Sequence, residues 1–510
     1  MISIKMIIIL AIILTCLLYL IISKYALSKA ITPSDFLLYR KSLGAGKVFT
    51  TLYASGMSLA TVFIAFFILA PYFGISLIWA AIFYSLGYFV LLLFIDKIFD
   101  RVKHGSTIHG FLGEAYDDIQ VKIIASIATT VGFIGIFSTE IMVGSNILKD
   151  IMPQGVDQLY PILLFALIVI IYSLLGGFKS VIITDIYQSI ATLVAILLIF
   201  IVALSMGIED GHYFTENCFN NIWLPPLMMI NFMLINLPFP LVDMSTWQRI
   251  AAVRNIKSAK KGVWVTLAMF LLTWTIILIS ALMLTENSSL DSSGGLTTSI
   301  ISFAEYYGTI GIIVAVIIFP SLVAAMLSTA DSYLVASGQT IIMDIKDFEY
   351  FKNHKIIDDS ELKEQSEPTQ EDRNVIKHTR HFMFIAGLSG IFAVVLLTKI
   401  GFKVDDLVFA VYGSSLALLP SVIFALLNKT DISNYALAAK MSILFGIIFG
   451  WVYGILSVLY SNNNSNIFFK IFASIDILPG KPSAYNSPTI ALFVSTIIFI
   501  LYFFMLRKRN

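Results

Sequence analysis

Ser328 and Thr329 stand in the middle of an apolar stretch, Pro320-Ser-Leu-Val-Ala-Ala-Met-Leu-Ser-Thr-Ala-Asp-Ser-Tyr-Leu-Val-Ala-Ser337. It follows the apolar run Ile310–Phe319, so the sequence places it inside a membrane helix. At about 3.6 residues per turn, Ala325, Ser328, Thr329 and Ser332 share one face. Small residues there let a second helix approach, and the hydroxyls offer the oxygen ligands that a hard cation takes. Polar groups are costly in lipid, so this face is expected against protein or a wet cavity. Two readings stand: hydrogen bonding between helices, the commoner use of Ser and Thr in membranes, or half of a sodium site. Asp331, ionisable and in the same turn, moves the balance towards the ion.

The rest of the chain must position that face. Of its 510 residues, 58% are hydrophobic and 13% charged, and apolar runs of helix-spanning length recur. That composition indicates an all-α, polytopic membrane protein. A net charge of +1 gives no basis for a nucleic-acid partner. Cys16 and Cys218 form neither a disulfide framework nor a metal spacing. HExxH, GxGxxG, P-loop and GxSxG motifs are absent, so the chain is not expected to be an enzyme. An intramembrane enzyme would need convergent acids and histidines, whereas His104, His109, His212, His354, His378 and His381 all fall in or beside expected loops.

Met6–Ile22 reads as a signal peptide or as an uncleaved first span; no small-residue cleavage site follows, which favours the span. Further spans are expected near 48–73, 77–100, 122–148, 158–176, 180–206, 226–246, 262–284, 308–338, 380–398, 405–427, 435–459 and 486–506. The total is about thirteen at roughly twenty residues each. Lys24, Lys29, Arg40, Lys41 and Lys47 fall on the same side as Lys97, Arg101 and Lys103, as Arg249, Arg254, Lys257, Lys260 and Lys261, and as the tail Arg507-Lys508-Arg509. The loop 207–225 has acids and no Lys or Arg. The positive-inside rule then puts the N-terminus outside and the C-terminus in the cytoplasm, with the bilayer as a partner throughout. Lys346–Lys377 is expected to be a solvated cytoplasmic loop, either regulatory or a plain connector. Asn462–Asn466 is expected outside.

Two spans look broken. The span 226–246 holds Pro238 and Pro240, and the span 48–73 holds Ala54-Ser-Gly-Met-Ser-Leu-Ala-Thr61 at its middle. Each opens a set of five spans, 48–206 and 226–427. Matching interruptions in two halves point to a transporter's midplane site; the alternative is a tolerated proline kink.

At this point five segments resemble the sodium:solute symporter family in its order and spacing. Asp35-Phe-Leu-Leu-Tyr-Arg-Lys-Ser-Leu-Gly44 resembles its amphipathic motif before the first core helix, and Thr107-Ile-His-Gly-Phe-Leu112 with Tyr116 the segment before the third. Gly176-Gly-Phe-Lys-Ser-Val-Ile-Ile-Thr-Asp-Ile-Tyr-Gln188 is the strongest match. Trp247-Gln-Arg-Ile-Ala-Ala252 resembles the Gln-Arg signature, and Ala324–Ser332 the ion motif of the eighth core helix.

The resemblance implies the leucine-transporter fold, a five-plus-five inverted repeat with flanking helices. It divides the chain into an extra helix at 1–30, a first repeat at 31–206, a second at 207–427 with a cytoplasmic loop at 344–378, and extra helices at 428–510. It implies import of a small organic solute coupled to sodium. The family's ion site carries over as the carbonyls of Ser55, Ser58 and Ala325 with the hydroxyls of Ser328 and Thr329. Leu59-Ala60 and Ala65 depart from the local family pattern there. Asp185, with Asp331 and Ser332, stands where some members build a second sodium site.

In the substrate pocket, Asn236 aligns with a substrate-contacting amide and Phe239 with an aromatic inner gate, while Phe63 and Phe66 are candidate walls. Val62, Ala80 and Ala81 stand where sugar carriers have polar groups, which favours an amino acid or a carboxylate over a sugar. Glu140, at mid-span, suits substrate, ion or packing equally. A proton-coupled carrier using Asp331 or Asp185 is the nearest rival. A membrane sensor is a further one, which the end of the chain directly after the last span disfavours. The oligomeric state is left open.

Overall fold

The computed structural model describes residues 4–27, 32–39, 42–102, 107–210, 223–284, 295–353, 368–400, 411–428, 431–461 and 486–507. The expected outer segment at 462–466, most of the loop 207–225, the middle of the loop 346–377 and the residues Arg40, Lys41, Lys103, Lys508 and Arg509 lie outside them.

Helix dominates because lipid leaves backbone groups no partner but their own chain. Ten helical stretches among the described residues are long and apolar enough to cross a membrane. The sequence anticipates more because two of the ten, Leu59–Val102 and Leu159–Met206, are 44 and 48 residues long. Each is about twice a bilayer's helical length. Each also holds a glycine of positive φ, Gly74 (φ 55) and Gly177 (φ 56). A shorter apolar helix runs Val411–Leu427.

Helices α1 (Ile4–Leu27), α7 (Ile119–Ile151), α8 (Leu159–Asp210) and α14 (Gly308–Ile341) pack along one another, and α12 (Ile256–Leu284) lies against α3 (Ala45–Gly56) and α5 (Ile78–Val102). The first break falls after α3. Met57 and Ser58 leave helical geometry (ψ 56 and 137), and the chain restarts through a wide π turn, Leu59–Ile64, into α4 (Ala65–Phe73). The Ser58 hydroxyl accepts the Thr61 amide at 2.8 Å and so caps the new half-helix. The second break separates α9 (Pro226–Asn236), α10 (Phe239–Val242) and α11 (Met244–Ala251). Pro238 and Pro240 withhold backbone donors there, and Asp243 caps α11 through the amides of Ser245 and Thr246.

Two of the quoted motifs meet. Leu43 donates its amide to the Ala252 carbonyl at 3.0 Å, Arg254 returns one to Leu43 at 3.1 Å, and Gln248 Nε2 donates to the Leu37 carbonyl at 3.1 Å. The short α2 (Pro33–Leu38) is thereby pinned to the end of the second broken helix.

One expectation is corrected. The stretch 346–377 is not a plain loop: Phe348–Asn353 is a helix, and the following long helix starts at Gln370, ten positions before the expected residue 380. Glu371, Asp372 and Arg373 extend that helix as a polar first turn, which hydropathy alone does not register as part of a span.

Candidate functional site

The helix face that carries Ser328 and Thr329 docks on the end of α3. Ser328 Oγ lies 2.9 Å from the Ala54 carbonyl oxygen and 2.9 Å from that of Ala325. Thr329 Oγ1 lies 3.2 Å from the Ser55 carbonyl and 3.3 Å from Ala325. Both hydroxyl residues are buried. Three carbonyls and two hydroxyls thus converge with only two hydroxyl protons among them. Such an all-oxygen set fits a small hard cation.

The break explains which first-helix carbonyls take part. Residues up to Gly56 are helical, so Ala54 and Ser55 lie in the last turn and present their C-terminal carbonyls to α14, that of Ala54 also accepting the Met57 amide at 3.3 Å. Ser58, expected beside Ser55, lies past the extended step. Its carbonyl accepts the amides of Val62 (3.2 Å) and Phe63 (3.4 Å), and its hydroxyl bonds to Glu140.

Asp185, Asp331 and Ser332 are all buried, and a guanidinium joins the first and the last. Arg249 Nη2 donates to Ser332 Oγ at 2.7 Å and stands 3.6 Å from Asp185 Oδ2. Arg249 Nε reaches Thr51 Oγ1 at 3.0 Å, and Thr51 donates in turn to Asp185. Asp331 Oδ2 instead accepts from the Tyr172 hydroxyl at 2.7 Å, and Asp331 Oδ1 has no hydrogen-bond partner. Asp185 and Ser332 therefore already share a fixed cation, while Asp331 is held by Tyr172. Sequence reading missed this, although Arg249 sits in the quoted Gln-Arg signature; only the fold carries it across to α14 and α8.

A cavity of about 770 Å³, counting the space at its mouth, opens between the two breaks. Asn236 and Phe239 line it, and so do Ser55, Ser58 and Thr329. Asn236 Nδ2 donates to the Phe232 carbonyl at 2.9 Å. Phe239 meets Tyr412 edge-on at 4.7 Å. Phe63 is a correction: it is fully buried and does not line the cavity, whereas Thr61, Ala65, Phe66 and Leu69 do. The π turn at Leu59–Ile64 rotates the helix face, which a 3.6-residue period cannot anticipate. Ala80 lines the cavity while Ala81 packs behind it.

His109, expected beside a loop, lies on the short α6 (Ile108–Ala115) and is fully buried. Its Nδ1 is 3.1 Å from Asp344 Oδ2 and its Nε2 is 2.8 Å from Thr129 Oγ1. Thr107 also donates to Asp344 at 2.6 Å. These contacts tie the start of α7 to the segment after α14.

No family model matches the sequence, and no curated protein matches it. Solved structures do. The chain superposes on a substrate-bound, outward-open Na⁺-coupled sialic acid symporter with a TM-score of 0.70 and 17% identity, over 98% of each chain. It matches Mhp1, a nucleobase-cation-symport-1 family transporter in a closed conformation with bromovinylhydantoin bound, with a TM-score of 0.51 and 12% identity, over 94% of this chain and 96% of that one. MhsT in complex with L-phenylalanine matches with a TM-score of 0.51 and 13% identity, over 91% and 99%. At such identities the likeness is one of fold. The chain is an all-α, multi-pass membrane protein with the leucine-transporter fold, two sets of five helices in inverted repeat with further helices flanking them.

Proposed function

We propose that the protein is a sodium-coupled secondary active symporter that imports a small organic solute by alternating access. One observation carries this reading. Thr329 and Ser55 belong both to the converging oxygens and to the cavity wall, so an ion and a solute would share a boundary. Sodium held by the carbonyls of Ala54, Ser55 and Ala325 and the hydroxyls of Ser328 and Thr329 would fasten α3 to α14. That favours one arrangement of the two bundles, and rocking between them would expose the midplane to the other side. The neighbour that is a Na⁺-coupled symporter supports the ion assignment. Ser58 remains in the proposal as a ligand only if its carbonyl turns inward on ion binding.

One sodium suffices. Arg249 serves Asp185 and Ser332, so a second coupling ion forms no part of the reading. One charge moving down 100 mV is worth about 2.3 kcal/mol, or about fifty-fold accumulation.

The membrane is proposed to be the cell membrane, with the N-terminus outside, the C-terminus cytoplasmic, and repeats at 31–206 and 207–427, following the Lys and Arg distribution. The expectation of an amino acid or carboxylate finds no Lys, Arg or His in the cavity wall to receive an acid. A proton-coupled carrier is the second reading, favoured by the unpartnered Asp331 Oδ1. The test is uptake into proteoliposomes across a panel of small solutes, at fixed pH, with inward sodium or potassium gradients. Sodium-specific accumulation is expected; accumulation driven by pH alone would favour the proton reading.

A further inference from the structure

Glu140 sits where the broken helix would otherwise hold an anion. It is fully buried on α7 and accepts a hydrogen bond from the Ser58 hydroxyl. The amides of Leu59 and Ala60, the first of the restarted half-helix, face the same carboxylate. In interrupted-helix transporters such half-helix N-termini are the natural seat for an anionic substrate group, because several N–H groups and the helix dipole point there. Here the protein supplies the anion itself. Asp185 has Arg249 at 3.6 Å, whereas Glu140 has no ion-pair partner among the described residues, and its Oε2 makes no hydrogen bond.

The cavity beside Ser58 is lined by aromatic rings. Tyr84 and Trp274 stack at 4.4 Å and 12°, and Phe66 stands edge-on to Trp274 at 5.6 Å. Phe239 and Tyr412 close the other side, and Tyr412 faces both Thr61 and Glu140. Aromatic faces carry negative potential, so they attract an ammonium and repel a carboxylate. The Glu140 carboxylate, one hydroxyl away and paired with no cationic side chain among the described residues, acts in the same sense.

We propose that the cavity takes a compact organic cation, an ammonium on a small apolar body, with Glu140 as its counter-charge and the aromatic residues of the wall as its cage. This rests on the reading of the cavity as the substrate site.

The test is equilibrium binding to the purified full-length protein in nanodiscs, read by tryptophan fluorescence. The probes are choline, its neutral isostere 3,3-dimethylbutan-1-ol, and glycine betaine, which adds a carboxylate. Choline is expected to bind at least about tenfold more tightly than either, a difference of about 1.4 kcal/mol. Glu140→Gln is expected to erase that preference, and Glu140→Asp to retain part of it. Trp274→Leu, away from the helix break, is expected to weaken choline more than its neutral isostere. Equal binding of all three probes, no binding of choline, or an unchanged preference in Glu140→Gln would overturn the proposal. Each titration is repeated in sodium and in potassium chloride. Charge preference without sodium dependence would sink the symporter reading and leave this one standing. Sodium dependence without charge preference would do the reverse.

Discussion

Ser328 Oγ meets the carbonyl oxygen of Ala54 at 2.9 Å, across 274 positions of sequence. The contact joins the frayed end of one helix to the middle of an unbroken one. It is polar and buried, and the Thr329 hydroxyl repeats it one residue on at the Ser55 carbonyl. Removing both hydroxyls, Ser328→Ala with Thr329→Ala, deletes two oxygens worth about 1 kcal/mol each. The sodium concentration for half-maximal response is expected to rise about thirty-fold. Sodium-induced thermal stabilisation, with potassium chloride holding ionic strength constant, measures this, and an unchanged sodium response would remove the pair from the site.

Asn236 lines the cavity but lies off the converging oxygens. Asn236→Ala is expected to weaken solute binding by about tenfold, the worth of one hydrogen bond of about 1.4 kcal/mol, and to leave sodium activation within about twofold. Paired titrations of solute and sodium check the split; equal losses on both would place Asn236 outside the pocket.

Arg249 and Asp185 are both fully buried, with Thr51 and Ser332 completing the group. Removing one partner of such a pair strands a charge and costs about 3–5 kcal/mol. Arg249→Met is therefore expected to lower the thermal midpoint sharply, and adding Asp185→Asn to recover part of the loss. Fluorescence-detected size-exclusion after heating reads both; a double variant no better than the single would argue against the pairing.

Gly177 divides α8 at φ 56 and ψ −148, and a Cβ there would lie 2.6 Å from the Phe36 carbonyl oxygen. Gly177→Ala meets both backbone strain and a clash and is expected to cost about 2–3 kcal/mol or more. Gly155, at φ +92 with nothing within 4 Å of its Cβ position, isolates the backbone effect, and Gly155→Ala is expected to cost only about 1 kcal/mol. Comparing the two thermal midpoints separates conformation from crowding.

Asp118 caps α7 outside the span and is joined to Lys440 at 2.8 Å. Burial raises its carboxyl pKa, but the Lys440 ammonium and the amides of Gln120 and Val121 outweigh that and hold it below the usual range. A depressed folded pKa gives stability that is complete above the unfolded value, about 3.9, and is lost as pH falls through the folded one. Wild type and Asp118→Asn are expected to differ by up to about 1 kcal/mol above about pH 5 and to converge below about pH 4. Thermal midpoints across that range check the sign.

The span pattern, the two interruptions and the hydroxyl face at 328–329 were readable along the chain, because helix length and helix period are local properties. The fold followed from them and from the motif order. The partners across space were not readable. That Ala54 rather than Ser58 faces Ser328 depends on two residues of extended backbone, and that Phe63 turns away while Phe66 lines the cavity depends on one wide turn. Arg249 between Asp185 and Ser332, and Glu140 beside Ser58, are meetings of polar groups 64 to 83 positions apart. Sequence determined which groups were costly to bury. Only the tertiary structure decided which of them neutralise one another and which has no charged partner among the described residues, because that balance is struck between helices rather than along any one of them.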